Sequence, residues 1–122
     1  MQTVLVVEDN YDILSLFSTC LSLCGVNVIQ ARTLQDACEA FEIGVSIDAI
    51  MVDFRLPDGE GPELLLRLGS KVPKVRILVT GYDFKLRERF PGFTEYLTKP
   101  VDCGWLCDWV KTKVWEASNA TS

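Results

Sequence analysis

Apolar residues fall along this chain in short runs separated by polar, glycine- or proline-containing stretches. TVLVV (3–7) is continuously apolar and β-branched, the pattern of a strand buried on both faces. VNVIQA (26–31), DAIMVD (48–53), VRILVT (75–80) and TEYLT (94–98) read as four further strands. Between them the period changes. In DILSLFSTCLSLC (12–24), Ile13, Leu16, Phe17, Cys20, Leu21 and Cys24 form a stripe at helical spacing, with Gly25 as the stop. Thr33 opens a second helix, TLQDACEAFEIG, with Asp36 at the capping-box position and Gly44 as its stop. LPDGEGP is a turn-rich loop, and Pro62 suits the first position of a short helix, PELLLRLG. GYDFKLRERFPGF holds a short helix broken at Pro91 and Gly92, and Asp102 caps a last helix over 103–117.

Five strands alternating with helices predict a doubly wound α/β fold, a parallel sheet covered by helices on both faces. The 122 residues, 48% hydrophobic and 24% charged, suit one domain with a core over 3–117 and a frayed tail at 118–122. No repeat, linker or low-complexity segment interrupts it. The net charge of -5 argues against a nucleic-acid surface, which needs a basic patch. No apolar run approaches the roughly 18 residues of a membrane span. The N-terminus lacks the basic region of a signal peptide, so no membrane association and a cytoplasmic location are expected. There are five cysteines and no histidine. Zinc could be drawn from Cys20 and Cys24 with Cys103 and Cys107, but their spacing lacks the loops and histidines of such sites. Free cysteines acting as small core residues in a reducing cytoplasm are the simpler expectation, without a disulfide framework.

Ligands of open α/β sheets bind beyond the carboxyl ends of the strands. Here those ends carry Glu8 and Asp9, Asp53, Thr80 and Gly81, and Lys99 and Pro100. If the first and third strands are neighbours, three carboxylates converge and repel one another unless a cation is present. Carboxylate oxygens with retained waters suit Mg2+, or the similar Mn2+. A hydroxyl and an ammonium stand opposite, placed to bind the oxygens of an anion on Asp53. The set describes phosphoryl transfer: a carboxylate nucleophile, a metal and a lysine clamp, with an acyl phosphate as intermediate.

VLVVEDN, IMVDFRLPDGEG, LVTGY and YLTKP, in this order on the predicted strands, resemble the receiver domain of two-component response regulators over positions 3 to 117. The resemblance implies the flavodoxin-like three-layer sandwich of five βα units shared with chemotaxis regulators, with strand order 2-1-3-4-5. It implies a phosphorelay role rather than an enzyme: Asp53 takes phosphoryl from a histidine kinase or histidine phosphotransfer protein. Asp9 becomes the principal metal carboxylate, Glu8 acts largely through water, and the main-chain carbonyl of Arg55 completes the protein ligands. Thr80 swings toward the phosphoryl group, Tyr96 turns inward with it, Lys99 pairs with it, and Lys99–Pro100 is a cis peptide. A chain without histidine can receive such a group but cannot be its histidine donor.

Three features depart from the family. Only 18 residues separate Thr80 from Lys99, so the fourth helix should be short or distorted, which puts the usual dimerisation in doubt. On the last helix Cys103, Leu106, Cys107, Val110 and Val114 share an arc, while Trp105 and Trp109 point mostly away from it and Trp115 lies off it. The tryptophans either cover the core edge or form, with the fifth strand, a surface for self-association or an output partner. Arg55 and Tyr82, two residues beyond Asp53 and Thr80, occupy positions that tune acyl-phosphate lifetime in receivers, and their bulk predicts slower self-dephosphorylation than in receivers with small polar residues there. Two other classes compete. Aspartyl-phosphate hydrolases commonly place a second aspartate where Arg55 stands. A flavin carrier needs a phosphate-binding loop where EDNYD is acidic. The receiver itself is either a stand-alone regulator or a piece of a larger protein such as a hybrid kinase.

Overall fold

Successive residues of a strand face opposite sides of its sheet, and here both sides are covered. The computed structural model of the chain describes residues 2–81 and 85–119. Strand β1 (Thr3–Val7) is buried at every position. Val4 and Val6 pack on the side of α1 (Tyr11–Leu23) and α5 (Cys103–Ser118). Leu5 and Val7 pack on the side of α2 (Leu34–Ala40), α3 (Glu63–Leu68) and α4 (Leu86–Arg89). β3 (Ala49–Asp53) repeats the alternation, with Met51 on the first side and Ile50 and Val52 on the second.

With β2 (Asn27–Ala31), β6 (Val75–Thr80) and β7 (Glu95–Thr98), these strands form one parallel sheet of order β2-β1-β3-β6-β7. Between β3 and β6 the chain makes a separate two-residue hairpin, β4 (Arg55–Leu56) with β5 (Gly59–Glu60). Setting that hairpin aside, the order is the anticipated 2-1-3-4-5. β1 lies between β2 and β3, so its carboxyl end meets theirs.

Local chemistry places the helices. The Asn10 side chain accepts the amide of Ile13, Thr33 that of Asp36, and Asp102 that of Trp105. Each satisfies a donor that the first turn leaves open. α2 stops at Ala40, before the stop read at Gly44. α1 is rotated from the expected stripe: Leu14, Phe17, Ser18, Cys20 and Leu21 are buried, whereas Leu16 is 56% exposed. The helix is apolar around much of its circumference, and Ser18 satisfies itself by donating to the Leu14 carbonyl at 2.7 Å. α4 is as short as expected, ended by Phe90 ahead of Pro91 and Gly92.

The cysteines correct a further expectation. Cys20 and Cys103, 83 positions apart, are joined by a disulfide; Cys24, Cys38 and Cys107 are free. The packing of α1 on α5 that brings the pair together has no local signature in the sequence. The tryptophans divide as well. Trp109 is half-buried against the α1–α5 core, not turned from it, while Trp105 is 42% exposed and stacks on it with ring centroids 5.9 Å apart.

Candidate functional site

Backbone hydrogen bonds continue the sheet one residue past the strand ends. The Glu8 amide donates to the Ala31 carbonyl at 3.0 Å, that of Phe54 to Val79 at 2.7 Å, and that of Lys99 to Thr80 at 2.8 Å. Glu8, Asp53 and Lys99 therefore project from a rigid edge. Lys99–Pro100 is a cis peptide, as the resemblance implied.

Glu8 is 1% exposed and Asp53 8%. Carboxylate oxygens of Glu8, Asp9 and Asp53 lie within 4.8 Å of one another. Lys99 Nζ is 2.5 Å from Glu8 Oε1 and 3.4 Å from Asp53 Oδ2. Burial opposes the charge on Lys99, but the hydrogen bond to Glu8 and the charges of Asp53 and Glu8 outweigh it and raise its pKa. Burial raises the Asp9 carboxyl above its ordinary value, and the hydrogen bond and charge of Glu8 add to that. The pocket thus holds more negative charge than one ammonium offsets. An all-oxygen donor set with that excess fits a hard divalent cation such as Mg2+.

Thr80, 7% exposed, borders a cavity of about 170 Å³ shared with Lys85, Leu86 and Tyr96. The Tyr96 hydroxyl donates to the Phe90 carbonyl at 2.5 Å and accepts the Phe93 amide at 3.3 Å. The guanidinium of Arg87 lies 4.6 Å from the centre of its ring. Tyr96 therefore ties the chain after α4 to β7 and closes one wall of the Thr80 cavity. Arg55 is exposed and pairs with Glu60 in the hairpin. Tyr82 lies outside the described residues.

Gly61 shows why the hairpin can sit so close to Asp53. Its amide donates to the Phe54 carbonyl at 2.7 Å, and a Cβ there would collide with the Asp53 carbonyl oxygen. Two supporting residues escaped the sequence reading. Arg32, at the end of β2, donates through Nη2 to the Asp9 carbonyl at 2.9 Å. Asp58, read only as part of a turn, accepts the amides of Leu34 at 2.9 Å and Gln35 at 3.0 Å, capping α2 from the hairpin. An acid in a PDG turn hints at capping but does not identify the helix.

The family model described as response regulator receiver domain matches residues 4–111. A response regulator protein of Pseudomonas aeruginosa, PilR, is 31% identical over 115 residues, which are 91% of this chain and 26% of that protein. This chain spans about a quarter of that relative's length. A CheY-like receiver domain protein of Methanospirillum hungatei superposes with a TM-score of 0.86 at 28% identity, covering 99% of each chain. The response regulator TrrA of Thermotoga maritima, solved with Mg2+ and BeF, has a TM-score of 0.79 at 26% identity, covering 92% of this chain and 98% of that one.

Proposed function

The chain belongs to the response regulator receiver domain family, and from that premise we propose that Asp53 is its phosphoacceptor, supplied by a histidine kinase or histidine phosphotransfer protein. One arrangement carries the reading: the Asp53 carboxylate stands at the carboxyl end of β3, 3.4 Å from Lys99 and clustered with Glu8 and Asp9. A carboxylate oxygen of Asp53 attacks the phosphorus of a phosphohistidine. The phosphorus–nitrogen bond breaks, the imidazole leaves, and an acyl phosphate remains. The rigid strand end positions the nucleophile, and Lys99 neutralises charge on the arriving oxygens. Glu8, Asp9 and Asp53, with the Arg55 carbonyl, would hold Mg2+, which screens the charge that develops on the phosphoryl oxygens.

The new group adds charge and acceptor oxygens at a fixed point. Lys99 exchanges its Glu8 contact for them, and the Thr80 hydroxyl donates to them. Movement of Thr80 changes the cavity that Tyr96 walls, which makes Tyr96 the relay toward β7 and α4. The stacked Trp105 and Trp109 on α5 are the candidate contact for an output partner or a second copy. An aspartyl-phosphate hydrolase is disfavoured, because exposed Arg55 stands where its second carboxylate belongs. A beryllofluoride titration with Mg2+, followed by tryptophan fluorescence, tests the reading. Wild type responds and Asp53→Asn does not; a response from both, or from neither, overturns it.

A further inference from the structure

Four of the five cysteines meet where α1 packs on α5, and nothing in the phosphoacceptor pocket uses them. Cys20 lies in α1 with Cys24 at its C-terminal cap; Cys103 opens α5 and Cys107 follows one turn later. Cys20 is bonded to Cys103 across a Cα separation of 5.6 Å, ordinary for a disulfide. The Cys107 thiol donates to the Cys20 carbonyl at 3.2 Å, and the Cys24 thiol to the Leu21 carbonyl at 3.2 Å. All four line one open groove, with exposed Leu16 and Leu23 at its edge. Cys38 sits apart, on the opposite side of the sheet.

We propose that Cys20 and Cys103 form a reversible redox clasp, closed by a low-molecular-weight disulfide and opened by thiols, that tethers α5 to α1 and restrains Lys99. The Cys103 thiolate attacks one sulfur of the oxidant, whose second sulfur leaves as a thiolate. Deprotonated Cys20 then attacks the Cys103 sulfur of the mixed disulfide and expels the other half of the oxidant. The two protein thiols lose two electrons and two protons, and the oxidant leaves as two thiols.

Position separates the reacting pair from its neighbours. Cys103 is half-buried and lines the open groove at the start of the sixteen-residue α5, where an incoming disulfide can reach it. Cys20, 7% exposed, suits the second, intramolecular step. Burial, with the hydrogen bond and charge of Cys24, pushes the Cys107 thiol up to about 11, so it remains protonated and does not draw the bond away.

The clasp reaches the phosphoacceptor pocket through a short arm. Only Pro100, Val101 and Asp102 separate Cys103 from Lys99. Fixing Cys103 on α1 limits how far Lys99 can leave Glu8 for a phosphoryl group. This coupling rests on the proposed function; the clasp itself does not.

Alkylation and peptide mapping in buffers of reduced and oxidised glutathione test both parts. Oxidised wild type should expose three alkylatable thiols after unfolding, against five when reduced, with Cys20 linked to Cys103. Its thermal midpoint should rise by on the order of 10 °C, since the bond closes a long loop. Cys24→Ser/Cys107→Ser should keep the clasp and Cys103→Ser should lose it. Mg2+–beryllofluoride should bind reduced wild type severalfold more tightly than oxidised wild type, with no redox dependence in Cys103→Ser. Five thiols at every glutathione ratio, or a link through Cys24 or Cys107, would overturn the clasp. Equal affinities would overturn the coupling alone. Binding to neither redox form would remove the coupling together with the phosphoacceptor reading, while the thiol count would still decide the clasp.

Discussion

Lys99 Nζ lies 2.5 Å from Glu8 Oε1, nearer than it lies to Asp53. The lysine therefore spends its charge first on a carboxylate that is 1% exposed. Lys99→Ala should destabilise the metal-free protein by about 2 kcal/mol, below the range for fully buried pairs because the lysine is partly exposed. Millimolar Mg2+ should recover part of that loss by binding the folded state. Urea unfolding with and without Mg2+ measures both effects.

Gly61→Ala should be costly for a residue on a hairpin. The added Cβ meets the Asp53 carbonyl oxygen, which the sheet does not let move. A loss of about 2 kcal/mol is expected from such overpacking. Beryllofluoride affinity should fall with it, because relief of the clash shifts Asp53.

Tyr96→Phe removes the donor to the Phe90 carbonyl while keeping the ring packed on Phe93. It should cost about 1 kcal/mol in chemical denaturation. Mg2+–beryllofluoride affinity should change less than the response it produces near α4, which amide hydrogen exchange across 86–93 would report.

The inner strands were legible because β1, β3 and β6 are compact apolar runs between breakers, with VRILVT matching β6 to the residue. The caps at Thr33 and Asp102 were legible because they act within three residues. Contacts between distant positions were harder. The Lys99–Glu8 bond spans 91 positions, and only the strand order makes the two neighbours. The sequence placed both at the pocket, but not with each other. The face of α1 was misjudged because a helix so widely apolar has several acceptable stripes, and the sheet chooses among them. The cysteine pair needed the same tertiary knowledge.

Asp58 carries the acid dependence of the hairpin's link to α2. Burial is the largest single influence and raises its pKa, but the amides of Leu34 and Gln35, with its own amide and the charge of Arg67, together outweigh it and hold the carboxyl below its ordinary value. The unfolded chain then binds the proton more readily, so this contribution is present above the ordinary aspartate value and is lost as pH falls through the depressed one. Asp58→Ala should lower stability by about 1 kcal/mol at neutral pH. The gap from wild type should close below about pH 4, as thermal melts across that range would show.

The most direct test of the account is where phosphate goes. Incubation with acetyl phosphate and Mg2+, followed at once by intact mass and peptide mapping, should add one phosphoryl group to wild type, on the peptide containing Asp53, and none to Asp53→Asn. The same group on Asp53→Asn, or no group on folded wild type, would contradict the central claim that Asp53 is the phosphoacceptor.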